Sequence, residues 1–176
     1  MTEIQEILFD EETISDKVKE LGAQISRDYA GKDLVLVSVL KGAVIFTADL
    51  VRRITFPVTL EFIQAASYGK SVTSSGNVLL LKRLETDIQN RHVLLVDTII
   101  DTGETMHCLF KEFAGKNPAS LNAAVLLDKK SCRTVEIRIA YCGFEVPDKF
   151  VVGYGMDCGG KYRNLPYIAA LKSDNS

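Results

Sequence analysis

The sequence predicts an open, mostly parallel, twisted α/β sheet flanked by helices. Two observations carry this. Short runs dense in aliphatic and β-branched residues alternate with stretches whose apolar residues recur at helical spacing. The runs beginning at Leu34, Val93 and Leu121 each finish at a polar turn, where sheets of this kind bind their ligands. A chain of 176 residues, 47% hydrophobic and 25% charged, suits one domain with a sizeable core, and residues 1–176 read as a single domain.

The elements follow in order. Between Thr13 and Tyr29, Ile14, Val18, Leu21 and Ile25 fall at helical spacing, with Ser15 or Thr13 as N-cap and Gly31 as stop. Leu34-Val35-Leu36-Val37 reads as a strand buried on both faces. Leu40-Lys41-Gly42 turns the chain into a helix over 43–54. Residues 58–66 alternate as a strand, 69–76 form a polar, glycine-flanked loop, and 77–82 return as a strand. The strand from Val93 precedes a helix carrying Met106, Leu109, Phe110 and Phe113, which stops near Gly115 and Pro118. Leu121 to Leu127 and Phe150 to Gly155 are further strands, and 167–171 close the chain.

The most informative segment is Val93-Leu94-Leu95-Val96-Asp97-Thr98-Ile99-Ile100-Asp101-Thr102-Gly103-Glu104-Thr105. A buried strand handing over to a helix start presents free backbone N–H groups and the positive end of a helix dipole at a crevice. Thr102 and Thr105 add hydroxyls, and Gly103 removes the Cβ that would hold a phosphate away. Asp97 and Asp101 stand on the strand side of the same pocket. The physical reading is an anion cradle with carboxylates beside it, suited to a phosphorylated sugar.

This segment closely resembles the phosphoribosyl-pyrophosphate signature of the type I phosphoribosyltransferases, with Thr98 where the family has a second acidic residue. Three further segments resemble the hypoxanthine or hypoxanthine-guanine branch: Val39-Leu40-Lys41-Gly42, Ala66-Ser67-Tyr68-Gly69, and the pair Leu127-Asp128-Lys129-Lys130 with residues 146–157. Taken singly, Phe150 reads as a core aromatic and Lys129 as a surface lysine, and 67–76 as a surface hairpin. The resemblance implies more. It implies the family's fold, with a small hood formed from the chain termini. Asp101 would be the general base at N7 of a purine. Asp97 and Thr98 would hold the ribose. Asp101, Thr102, Gly103, Glu104 and Thr105 would cradle the 5′-phosphate, with Glu104 turned away to complement the helix start. Leu40, Lys41 and Gly42, with a cis Leu40–Lys41 bond, would line the pyrophosphate pocket together with Ser67, Tyr68 and Arg163, the Ser-Tyr pair belonging to a lid. Lys129 would donate to a 6-oxo group, Phe150 would stack on the ring, and Val151 and Asp157 would complete the purine pocket.

Magnesium is the implied cofactor, near Asp157 and Asp97, because it takes oxygen ligands and commonly binds substrate phosphates. The implied activity transfers 5-phosphoribosyl from phosphoribosyl pyrophosphate to N9 of hypoxanthine, with guanine beside it, in a homodimer or homotetramer. An aspartate at position 98 is expected to be tolerated and to tighten sugar binding. A second reading is a regulator of the same fold that senses nucleotides and binds RNA with weak or no catalysis. Against it, the net charge is −2 and no basic stripe with interleaved aromatics occurs, so no nucleic-acid surface is expected. No apolar run is long enough to span a bilayer. The opening residues 1–6 are polar and acidic, so a cytoplasmic location is expected, with Cys108, Cys132, Cys142 and Cys158 as reduced thiols. His92 and His107 are too few, and the cysteines too scattered, for a zinc cluster.

Overall fold

The computed structural model describes residues 3–66 and 79–172. In chain order the elements are β1 (Ile4–Phe9), α1 (Glu11–Asp28), β2 (Leu34–Leu40), α2 (Val44–Val51), β3 (Thr59–Ala66), β4 (Leu79–Lys82), β5 (His92–Ile100), α3 (Glu104–Ala114), β6 (Ser120–Asp128), β7 (Tyr141–Glu145), β8 (Val151–Val152) and β9 (Ile168–Leu171). Six strands form the main sheet in the order β4-β3-β2-β5-β6-β7. All neighbours are parallel except β4, which returns antiparallel on β3. From β2 the chain winds to one side, into β3. From β5 it winds to the other, into β6. The strand order therefore reverses between β2 and β5, and the crevice beyond their carboxyl ends is where such sheets bind ligands.

Alternation along the central strands divides the core. Leu34 and Leu36 of β2, with Leu94 and Val96 of β5, pack under Ile14, Val18 and Leu21 of α1 and Phe46 and Leu50 of α2. Val35, Val37, Val93 and Leu95 face the other way, onto Met106, Leu109 and Phe113 of α3. Both faces are covered, so these strands read as unbroken apolar runs rather than alternating ones. A second, antiparallel sheet, β1-β9-β8, is the hood; Ile4 pairs with Leu171, and Val151 with Ala170.

Several boundaries differ from the sequence reading. The cap of α1 is Asp10, whose Oδ1 accepts from the Thr13 N–H at 2.8 Å, so the helix starts before Thr13 and Ser15. The expected helix over 43–54 is shorter, Val44–Val51. The expected strand from Phe150 to Gly155 is only Val151–Val152; Gly153 and Gly155, at φ of 95° and 97°, turn the chain before it can extend. Strands β1 and β7 were not anticipated.

Candidate functional site

Three strand ends and the hood meet in an open cleft of about 290 Å³. It gathers Gly42 from the turn after β2, Asp101 after β5, Lys129 after β6, and Phe150, Val151 and Asp157 from the hood, together with Arg163. Ile99 and Met156, which sequence reasoning did not single out, complete the lining.

At the end of β5 the chain turns through Asp101 and Thr102, both exposed, into Gly103, which caps α3 at φ 90°. No side chain caps α3 from that position, and among the described residues the Glu104 N–H at the helix start makes a long 3.4 Å bond to the Thr102 hydroxyl. Gly103 has a packing reason as well: a Cβ there would stand 2.6 Å from Cδ1 of Ile137. Glu104 is exposed in the first helical turn, where a carboxylate complements the dipole.

Lys129 is buried, with its side chain only 9% exposed. Its ammonium lies 2.9 Å from Asp101 Oδ1 and 3.7 Å from Asp148 Oδ1. Phe150, by contrast, is 56% exposed, an aromatic ring presented at the cleft rather than used in the core. The Arg163 guanidinium lies 2.6 Å from Asp157 Oδ1 and donates to the Gly155 carbonyl at 2.6 Å. The other Asp157 oxygen accepts from the Gly160 N–H at 2.7 Å.

The peptide bond between Leu40 and Lys41 is cis. Lys41 is exposed, while Leu40 and Gly42 are half-buried. Gly155 packs against the Gly42 carbonyl so closely that no Cβ fits there. Ser67 and Tyr68 lie outside the described residues.

Thr98 is a core residue. It is fully buried, and its hydroxyl donates to the Gly42 carbonyl at 3.0 Å. It props the turn after β2. The expectation that aspartate would be tolerated there reverses. A carboxylate would be buried against a carbonyl oxygen, and uncompensated buried charges cost about 3–5 kcal/mol. Thr98→Asp should lower unfolding stability by an amount of that order in urea titrations. A stability equal to the parent's would show that position 98 tolerates a carboxylate.

Asp97 is half-buried, and its Oδ1 accepts from the Thr98 N–H at 2.7 Å. Burial pushes its carboxyl up to about 7, against the downward pull of the Thr98 and Ile99 N–H groups.

Among the described residues, no group of three or more His, Cys, Asp or Glu side chains comes together as a metal cage. Asp101 and Asp157 line the cleft, and their carboxylates are hard oxygen donors. That donor set fits a magnesium ion held by one or two carboxylates, water and substrate oxygens.

A phosphoribosyl transferase domain model matches residues 5–158. The hypoxanthine-guanine phosphoribosyltransferase of Streptococcus thermophilus (strain CNRZ 1066) is 44% identical over 172 residues, covering 98% of this chain and 96% of the relative. That of Bacillus subtilis (strain 168) is 44% identical over 170 residues, covering 97% and 94%. Among solved structures, a hypoxanthine-guanine phosphoribosyltransferase from Bacillus anthracis superposes with a TM-score of 0.92 at 46% identity, over 97% of this chain and 100% of the other.

Proposed function

The chain belongs to the phosphoribosyl transferase family, and from that premise we propose that it is a purine-salvage enzyme, a hypoxanthine-guanine phosphoribosyltransferase. It moves the 5-phosphoribosyl group from phosphoribosyl pyrophosphate to N9 of hypoxanthine or guanine, releasing pyrophosphate and giving IMP or GMP. The observation that supports this best is the Lys129–Asp101 pair in a cleft that also holds an exposed Phe150, beside a phosphate turn. The regulator reading has no comparable support, since relatives matching nearly the whole chain bear the enzyme's name.

The chemistry assigns a task to each group. The base lies on the Phe150 ring, with Val151 at its edge. Its 6-oxo oxygen accepts from Lys129, which exchanges its carboxylate partner for the purine. As N9 bonds to C1′ and the C1′–oxygen bond to pyrophosphate breaks, Asp101 accepts the N7 proton. The Asp101–Thr105 turn and the α3 N-terminus hold the 5′-phosphate. Lys41 and Arg163 receive the pyrophosphate, for which Arg163 must leave Asp157. Ser67 and Tyr68 belong with this end of the site by resemblance to the family. Asp97 holds the ribose hydroxyls. Asp97 and Asp157 would also hold magnesium, which supplies neutralisation of the departing charge. We assign the enzyme a homodimeric or homotetrameric state, to which the exposed Val44 and Ile45 of α2 lend an apolar contact surface. A cytoplasmic setting suits four cysteines that form no disulfide.

The deciding experiment is pyrophosphate release with hypoxanthine, guanine, xanthine and adenine in turn. Turnover with hypoxanthine and guanine supports the reading. Absence of turnover with either, in protein that binds phosphoribosyl pyrophosphate, returns the regulator.

Asp97 gives a pH prediction. Its raised carboxyl is neutral below about 7 in the folded chain and ionises as pH rises through that value. An unfolded aspartate loses its proton near 4, so across that window the neutral buried carboxyl makes stability fall with rising pH. Ribose and magnesium need the ionised form. The Michaelis constant for phosphoribosyl pyrophosphate should therefore fall as pH rises through about 7. A sugar phosphate titrates near 6 itself, in every variant alike. The part that Asp97→Asn abolishes belongs to Asp97, and parallel profiles for the two proteins would remove it from the site.

A further inference from the structure

We propose that Arg133 is a positioning residue for the transfer, fixing Asp101 relative to Lys129; this rests on the reading of Asp101 as the base. Arg133 follows a short helical turn, Lys130–Cys132, and its side chain is 17% exposed. One arm of its guanidinium pairs with Asp128, the last residue of β6, whose side chain is only 5% exposed. The other arm donates to the Asp101 backbone carbonyl at 3.3 Å. Asp128 immediately precedes Lys129, and Asp101 immediately follows β5. A single side chain thus spans the two strand ends that carry the proton acceptor and the base-reading ammonium.

The surroundings strengthen the bridge. The Lys129 N–H donates to the Ile100 carbonyl at 3.0 Å, and the Thr134 N–H to the Thr102 carbonyl at 3.0 Å. A Cβ on Gly103 would lie 3.1 Å from Arg133 Cδ and Nη1, so the arginine stem forms the floor under the phosphate turn. Asp128 is a buried carboxylate that needs a cationic partner. A planar guanidinium can meet it and a carbonyl at once in fixed geometry, whereas one ammonium cannot do so with the same precision. What depends on the bridge is the placement of the Asp101 carboxylate against N7. Misplacement by about 1 Å can cost about a hundredfold in rate.

The test separates positioning from stability. Arg133→Gln and Arg133→Lys are compared with Arg91→Gln, which removes an arginine bonded at 2.7 Å to both Asp33 oxygens and to Thr59 at the opposite, amino ends of the strands. Melting temperature and steady-state constants with hypoxanthine are read well below each transition. Arg133→Gln should lose about tenfold or more in kcat. Arg91→Gln should lose melting temperature and keep its kcat. Arg133→Lys retains charge beside Asp128, so it guards against a folding failure of the glutamine variant; it should keep most of the stability and still lose kcat. Added to Asp101→Asn, the Arg133→Gln change should lower kcat no further, because residues acting as a unit are not additive. Native kcat in Arg133→Lys and Arg133→Gln, or multiplication of the two losses in the double variant, overturns the proposal. If Asp101→Asn alone keeps kcat within about tenfold of the parent, the base assignment itself has failed, which is a separate result.

Discussion

Asp101→Asn lowers kcat by about a hundredfold or more and leaves the protein folded and able to bind both substrates. Loss of a positioned general base typically costs about 10²–10⁴ in rate. Asparagine keeps the size and shape of the side chain but has no site for the N7 proton. Folding survives because the Asp101 side chain is 53% exposed and the asparagine amide oxygen can still accept from the Lys129 ammonium. Nor is Lys129 stranded, since Asp148 Oδ1 remains 3.7 Å from its ammonium. Steady-state kinetics with hypoxanthine, beside a thermal melt, checks this. A fall of less than about tenfold would take the base role from Asp101.

The second large effect is on choice of base. Lys129 offers only donors, and the cleft holds it beside two carboxylates until a purine arrives. A 6-oxo oxygen accepts from it. The 6-amino group of adenine sets donor against donor and leaves a buried ammonium poorly paired. Sites built around a hydrogen bond reject the mismatched analogue by about 10⁴–10⁵. Adenine turnover should be lower than hypoxanthine turnover by about that factor. Lys129→Ala should raise the Michaelis constant for the base far more than that for phosphoribosyl pyrophosphate. Comparable turnover of adenine and hypoxanthine by the parent enzyme would remove Lys129 from base selection.

The central sheet was legible because its strands are buried on both faces and say so in unbroken aliphatic runs, Leu34–Val37 and Val93–Val96. The hood was not. Strand β1 is half exposed, and its partner β9 lies at the far end of the chain, so nothing local marks Ile4–Phe9 as a strand. Read singly, Lys129 was a surface lysine and Phe150 a core aromatic; the structure inverts both, burying the lysine and exposing the ring. Neither placement follows from the residue type taken alone. Thr98 could have been placed from periodicity alone. A period of two along β5 puts it on the face of Leu94 and Val96, inside the core. Arg133 carried no signal, because its partners, Asp128 and the Asp101 carbonyl, are brought together only by the pairing of β5 and β6.

The hood also bears on how the chain folds as it is made. Val151 lies on β9 and β9 lies on β1, so this wall of the cleft is the third strand of a sheet whose first strand is β1. Ile4 cannot pair with Leu171 until residue 171 has left the ribosome, which at about 5–20 residues per second is roughly ten to thirty seconds later. The parallel strands β2, β3, β5 and β6 are all complete before then. The turn into α3 therefore rests on strands that are complete before the hood can form, and the cleft wall that Val151 supplies closes last.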